Sequence, residues 1–304
     1  MIKLTHKILV MTVMMIFPGF ILGQEDKKEK TVITYGPDEQ TLLWKVSSPN
    51  FPGDSYIFGT MHILCESDAR ISETLKNIIK DVDKVYFEVD MDNMAEMMGA
   101  MRFFKMLDNK TLTDFITQDD YNRLDSFLKA NNSLLPLQMM NNFKPVLISS
   151  LLAQSLLGCE KTNGMEMVIM EEAQQHEKEI AGLETMEFQA GIFDSIPYEE
   201  QARMLMMYVD SIENYRSASE SLAEAYLKQD LNRLESLMVQ SDPSMNKYMD
   251  LMLYQRNRNW IDPMLSQMTD KPALFAVGAG HLPGSEGILE LLRKRGYKVT
   301  PVKN

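Results

Sequence analysis

The feature that most constrains this chain is an alternation: compact apolar runs of strand length are separated by long stretches whose apolar residues recur every three or four positions. Strand-type runs fall at 42–47, 55–59, 84–89, 179–183, 273–277 and 297–302. The first two flank Pro49-Asn50-Phe51-Pro52-Gly53-Asp54, a turn-rich spacer that predicts an antiparallel hairpin with a longer loop. Helical spacing covers 113–129, 136–157, 164–177, 199–228 and 243–268. Strands interleaved with helices of this length predict an α/β fold, a single domain with a central mixed β-sheet flanked by many helices. No fixed-period repeat occurs, which sets aside solenoids and propellers.

Residues 1–23 carry Lys3 and Lys7, then an apolar run from Ile8 to Phe17, then Pro18-Gly19, with Gly23 ahead of Gln24-Glu25-Asp26. This is the layout of a signal peptide cleaved after Gly23. The alternative is an uncleaved anchor, the one form of membrane attachment that the sequence suggests; no Cys follows that would support a lipoprotein. Residues 24–41, a charge run followed by Gly36-Pro37, read as a flexible leader, and 42–304 as the folded domain. The expected location is therefore outside the cytoplasm, periplasmic or secreted. In an oxidising compartment, the two cysteines, Cys65 and Cys159, predict a disulfide.

The 304 residues hold 31 Lys+Arg against 43 Asp+Glu, a net charge of −12. With no basic stripe, a nucleic-acid partner is excluded, because phosphate neutralisation supplies most of such affinity. Loss of Lys3 and Lys7 on cleavage would leave the chain more acidic still.

Several catalytic signatures are absent: G-x-S-x-G, H-E-x-x-H, the P-loop and C-x-x-C. The run from Gly278 to Gly284 has Pro283 where a dinucleotide loop needs its third glycine, and no matching βαβ unit opens the chain. Two G-x-x-H segments remain, Gly59-Thr-Met-His62 and Gly278-Ala-Gly280-His281, each directly after a predicted strand. Two further strands end at Glu88 and Glu184. The carboxyl ends of strands in open α/β sheets form the ligand crevice, and Gly59, Gly278 and Gly280 would let the backbone turn sharply or approach a ligand there. Two imidazoles with one or two carboxylates suit a divalent metal with open positions. The competing reading makes His62 and His281 buried loop staples and the glutamates ordinary strand-end charges. His176 sits in a charged run and His6 in the leader, so neither enters the site. Met91, Met94, Met97, Met98 and Met101 share one helical face and read as adaptable core packing, as a groove or lid for an apolar ligand, or as a copper-handling surface.

The segments Leu43-Trp44, Tyr56-Ile-Phe-Gly-Thr-Met-His62, Phe87-Glu88-Val-Asp, Gly164-Met-Glu166, Gly182-Leu-Glu184-Thr, Gln189, Arg256-Asn257, and Val277 through Gly287 resemble, in order, the TraB/GumN family, which is related to the Tiki proteases. One departure is Glu166, where Asp is the more frequent choice. The resemblance implies a single α/β domain over about 42–302 and, by analogy with Tiki, metal-dependent hydrolysis of peptide or protein substrates. On that reading His62, Glu88 and His281 hold Mn²⁺, Co²⁺ or Zn²⁺, Glu184 is the general base, Arg256 holds a substrate carboxylate or the developing oxyanion, and Glu166 orients a histidine. Two alternatives remain open: metal-independent hydrolysis with a histidine base, as in the distantly similar erythromycin esterases, and a non-enzymatic haem- or metal-binding protein resembling ChaN.

Overall fold

Ala273–Gly278 is buried at every position, the signature of a strand covered on both faces. The computed structural model describes residues 33–304 except 94, 96–98, 101, 132, 134, 155 and 241–247. In it, this run is an inner strand of a six-stranded mixed sheet with order β6-β4-β7-β2-β1-β8. The strands are β1 Leu43–Ser47, β2 Ser55–Thr60, β4 Lys84–Val89, β6 Glu179–Glu184, β7 Ala273–Gly278 and β8 Lys298–Pro301. β1 pairs antiparallel with both β2 and β8, while β2, β7, β4 and β6 run parallel to one another. The expected hairpin and mixed sheet are therefore present. Four adjacent strands also discharge their carboxyl ends along the same edge.

A second, two-stranded sheet pairs β3 Leu64–Cys65 with β5 Thr162–Asn163, and the Cys65–Cys159 disulfide closes beside it. It fastens the chain leaving β2 to the chain entering the helix that carries Glu166.

The helices are α1 Glu73–Asp81, α2 Gln118–Ala130, α3 Leu137–Met140, α4 Pro145–Ala153, α5 Met165–Gln175, α6 Met186–Ile192, α7 Tyr198–Asp210, α8 Ile212–Leu227, α9 Leu231–Gln240, α10 Gln255–Asp270 and α11 Ile288–Lys294. Ser72, Thr117 and Thr185 cap α1, α2 and α6 by accepting from the backbone N–H groups of Leu75, Asp120 and Phe188. Two expected helices are divided. Pro145 has no N–H to give an earlier turn, so it opens α4 instead of continuing α3. Ser211 leaves helical geometry at φ −128°, and the Tyr208 and Tyr215 rings pack 4.5 Å apart across the corner. The last long helix starts at Gln255 after a π-type segment, Asp250–Tyr254, and the first residues expected in it lie outside the described part. The short helices α1, α6 and α11 were not legible from periodicity, being too brief to show it over several turns.

The chain packs from before Leu42. Tyr35 is buried edge-on against Trp44, with ring centroids 5.8 Å apart, and its backbone exchanges hydrogen bonds with the Asn232 side chain. The end of the expected leader is thus part of the body. The proposed signal peptide lies outside the described residues, as do Met94, Met97, Met98 and Met101; Met91 is buried in the core. Among the described residues no helix is long and apolar enough to cross a membrane.

Candidate active site at the strand ends

Each polar group of the site arrives on its own element. Glu88 is the next-to-last residue of β4, Glu184 the last of β6, and the turns after β2 and β7 carry His62 and His281. Arg256 and Trp260 lie one turn apart on α10 and so share a face. Glu166 lies in the first turn of α5, and Gln189 in α6, the helix that follows β6. Glu88, Glu166, Gln189, Arg256, Asn257 and His281 are all buried, which is costly for charged groups unless they are paired.

The pairing centres on Arg256. Its Nη2 donates to Glu88 Oε2 and, at 2.7 Å, to Glu184 Oε1; its Nε donates to both Glu184 oxygens at 3.0 and 3.2 Å. Nη1 donates to the Met252 carbonyl at 3.1 Å and faces His281 Nε2 at 3.3 Å. A guanidinium has five N–H bonds, and all five have protein acceptors here. The guanidinium also lies 4.8 Å from the Trp260 ring, whose Nε1–H donates to Glu184 Oε2 at 3.0 Å. Gln189 Nε2 bridges the two carboxylates, at 3.1 Å from Glu88 and 3.2 Å from Glu184. The backbone N–H of Gly278 donates to Glu88 Oε1 at 2.8 Å.

These surroundings divide the carboxylates. Burial favours the neutral acid of Glu88, but the positive charge of Arg256 and the neighbouring histidines outweigh it and hold the group well below the usual carboxylate range. At Glu184 burial is the larger effect, and the carboxyl is raised despite Arg256. Burial pushes His281 down to about 3, so its imidazole is neutral at ordinary pH. His62 behaves oppositely: burial opposes its protonation, but the Glu166 charge prevails and raises it. His62 Nδ1 lies 2.5 Å from Glu166 Oε1, an ion pair when the ring is protonated, and its Nε2 has no hydrogen-bond partner among the described residues.

The structure thus gathers Glu88, Glu184, Arg256 and His281 in direct contact and sets the His62–Glu166 pair beside them, within electrostatic reach of Glu88 and His281. Trp260 was not anticipated, although its spacing of four from Arg256 was visible in the sequence. Gly59 closes on the turn after β7, where a Cβ would lie 3.1 Å from the Ala279 Cα, an approach to protein backbone and not the approach to a ligand expected of it. Gly278 acts instead through its N–H, at an ordinary φ of −50°. Gly280 is buried in the turn that carries His281.

Imidazoles and carboxylates are donor types that divalent ions take, and His62 Nε2 has no hydrogen-bond partner among the described residues. The geometry differs from that expectation. Among the described residues no three His, Cys, Asp or Glu side chains stand as a ligand set, and the space between Glu88, Glu184 and His281 is filled by the Arg256 guanidinium. As arranged, His62, Glu88 and His281 do not fit a metal. The oxyanion role expected of Arg256 is likewise closed in this arrangement, because its donors are all engaged.

Comparison with known proteins then places the chain. The profile of the TraB/PrgY/gumN family matches residues 42–301. The chain belongs to this family. Among its relatives, zebrafish (Danio rerio) Metalloprotease TIKI1 is 21% identical across 86% of this chain and 63% of its own length. Human Metalloprotease TIKI1 is 23% identical across 85% and 61%, and zebrafish Metalloprotease TIKI2 21% identical across 86% and 61%. This TraB-family chain spans about three fifths of the length of those relatives. No solved structure matches it.

Proposed function

We propose that this TraB-family chain is an exported hydrolase of the Tiki type, a peptidase whose active site is the buried cluster at the ends of β2, β4, β6 and β7. The observation that carries the reading is the delivery of two histidines and two glutamates, all with little-exposed side chains, by four adjacent parallel strands to one region of the sheet edge. The Tiki relatives bear the name metalloprotease, which supports peptide-bond chemistry and a metal.

Glu184, raised by burial, is the proton acceptor of choice, because a carboxylate with a higher pKa is the stronger base. Glu88, held charged, anchors Arg256 and the β7 turn. Trp260 and Gln189 fix the orientation of Glu184. Metal dependence rests on the relatives' name and on the donor chemistry of His62, Glu88 and His281; ligation by Glu88 requires Arg256 to leave it. Export rests on the layout of residues 1–23 and agrees with the Cys65–Cys159 disulfide.

The test is a mixed peptide library incubated with metal-stripped protein to which Mn²⁺, Co²⁺ or Zn²⁺ is returned, read by mass spectrometry, alongside His62→Ala and Glu184→Gln. Cleavage restored by metal and lost in both variants is the expected result. Folded protein that cleaves nothing under any metal overturns the reading. The place taken by Arg256 favours one alternative, metal-independent hydrolysis; turnover of peptides or esters that resists chelators would establish it.

A further inference from the structure

Asn257 is buried next to Arg256 on α10 and touches the site only through His281. Its Nδ2 donates to two carbonyls, Glu286 O at 2.8 Å and His281 O at 3.4 Å. Turning the amide over would set its oxygen against both acceptors, so Oδ1 must face His281 Nδ1, 2.5 Å away. A carboxamide oxygen only accepts, so Nδ1 must carry a proton. The far side of the ring gives the same answer. His281 Nε2 lies 3.3 Å from Arg256 Nη1, and arginine only donates, so Nε2 must offer its lone pair.

We propose that Asn257 is a positioning residue that locks His281 in the Nδ1–H tautomer, keeping the Nε2 lone pair turned into the site as an acceptor. The competing tautomer has an obvious attraction. Glu88 Oε1 lies 3.6 Å from Nε2, and an Nε2–H would be drawn to that carboxylate. The proton would then stand between ring and carboxylate, and His281 would lose the lone pair that faces Arg256. Asn257 opposes this by supplying a better-placed acceptor on the other face, and the Trp260 ring, 4.5 Å from the imidazole, limits how far the ring can turn. In either form of the proposed hydrolase, His281 serves as an electron-pair donor only while Asn257 keeps the proton on Nδ1. That consequence rests on the proposed function, whereas the tautomer does not.

The test is nitrogen-15 NMR of the full chain labelled at histidine, at neutral pH, with the His281 signals identified by their loss in His281→Gln. The wild type is expected to show a protonated, pyrrole-type Nδ1 and a pyridine-type Nε2. Asn257→Asp keeps an acceptor and should preserve that pattern; Asn257→Leu should shift it toward Nε2–H and lower hydrolysis about 10- to 100-fold, the usual cost of removing a partner that orients a working histidine. A wild-type spectrum with Nε2 protonated overturns the proposal without any variant. An Asn257→Leu spectrum identical to wild type overturns it as well. If the tautomer is as stated but the wild type hydrolyses nothing, the positioning role stands and the hydrolase reading is the one that fails.

Discussion

The disulfide between Cys65 and Cys159 joins the residue three places after His62 to the residue seven places before Glu166. Backbone bonds reinforce it: Glu66 N–H donates to Lys161 O at 2.9 Å, and Met165 N–H to Met61 O at 3.0 Å. The His62–Glu166 pair is therefore held by a covalent strap and backbone bonds as well as by its own contact. A Cys65→Ala/Cys159→Ala double variant should lose about 2–4 kcal/mol of stability, read as a lower denaturant midpoint. The proposed hydrolysis should fall further than the unfolded fraction explains; activity that follows folded protein alone would show that the strap does not position His62.

Gly164 leaves no room within that strap. A Cβ there would lie 2.8 Å from the His62 carbonyl oxygen and 3.1 Å from Glu166 Oε2. Gly164→Ala should cost about 1–3 kcal/mol through overpacking and spread the two segments. Gly191→Ala is the control, since nothing lies within 4 Å of its would-be Cβ. Thermal melts of the two variants compare them directly, and equal losses would refute the crowding.

Arg256 neutralises two buried carboxylates at once, so its removal strands both. Arg256→Met should destabilise the fold by about 3–5 kcal/mol, the range for breaking a buried ion pair from one side. Arg256→Lys keeps the charge but cannot reach Glu88, Glu184 and Met252 together, and should fall between Met and wild type. Arg256→Met with added Glu88→Gln and Glu184→Gln should recover part of the loss, because no uncompensated charge then remains. Equilibrium urea unfolding of the series measures this coupling.

Much of this architecture was legible because strands and their ends leave short, local marks. The apolar run before Gly278 and the turn-rich spacer at 49–54 specify β7 and the opening hairpin without reference to the rest of the chain. The strand-end positions of His62, Glu88, Glu184 and His281 followed once those strands were found. What the sequence could not show was who pairs with whom. Whether Arg256 faces a substrate or two carboxylates depends on how α10 lies over the strand ends, and helical periodicity reports a face without its depth or rotation. Ser211 escaped for a related reason, since serine is neither glycine nor proline and the apolar spacing continues on both sides of the corner.

The two site histidines should give the stability curve a maximum near pH 6.5, their ordinary pKa. His281 is pushed down to about 3 in the fold, first by burial. Between 6.5 and about 3 the unfolded chain binds a proton that the folded chain refuses, so stability falls as the pH is lowered, at about 1.4 kcal/mol for each pH unit fully inside that window. His62 is raised, because Glu166 outweighs the opposing effect of burial. Above 6.5 the folded chain retains a proton that the unfolded chain has lost, so stability falls as the pH rises through the folded value. The carboxylates act lower on the scale. Glu88, depressed, contributes stability above the ordinary carboxylate value that is lost on acidification; Glu184, raised, contributes with the opposite sign just above it. Urea midpoints measured from pH 4 to 9 should rise and then fall. His281→Phe should flatten the limb between pH 6.5 and 5, and Glu166→Gln should flatten the alkaline limb, because His62 then loses the charge that raises it. An acid limb that survives His281→Phe unchanged would mean that the imidazole is not held neutral by the fold.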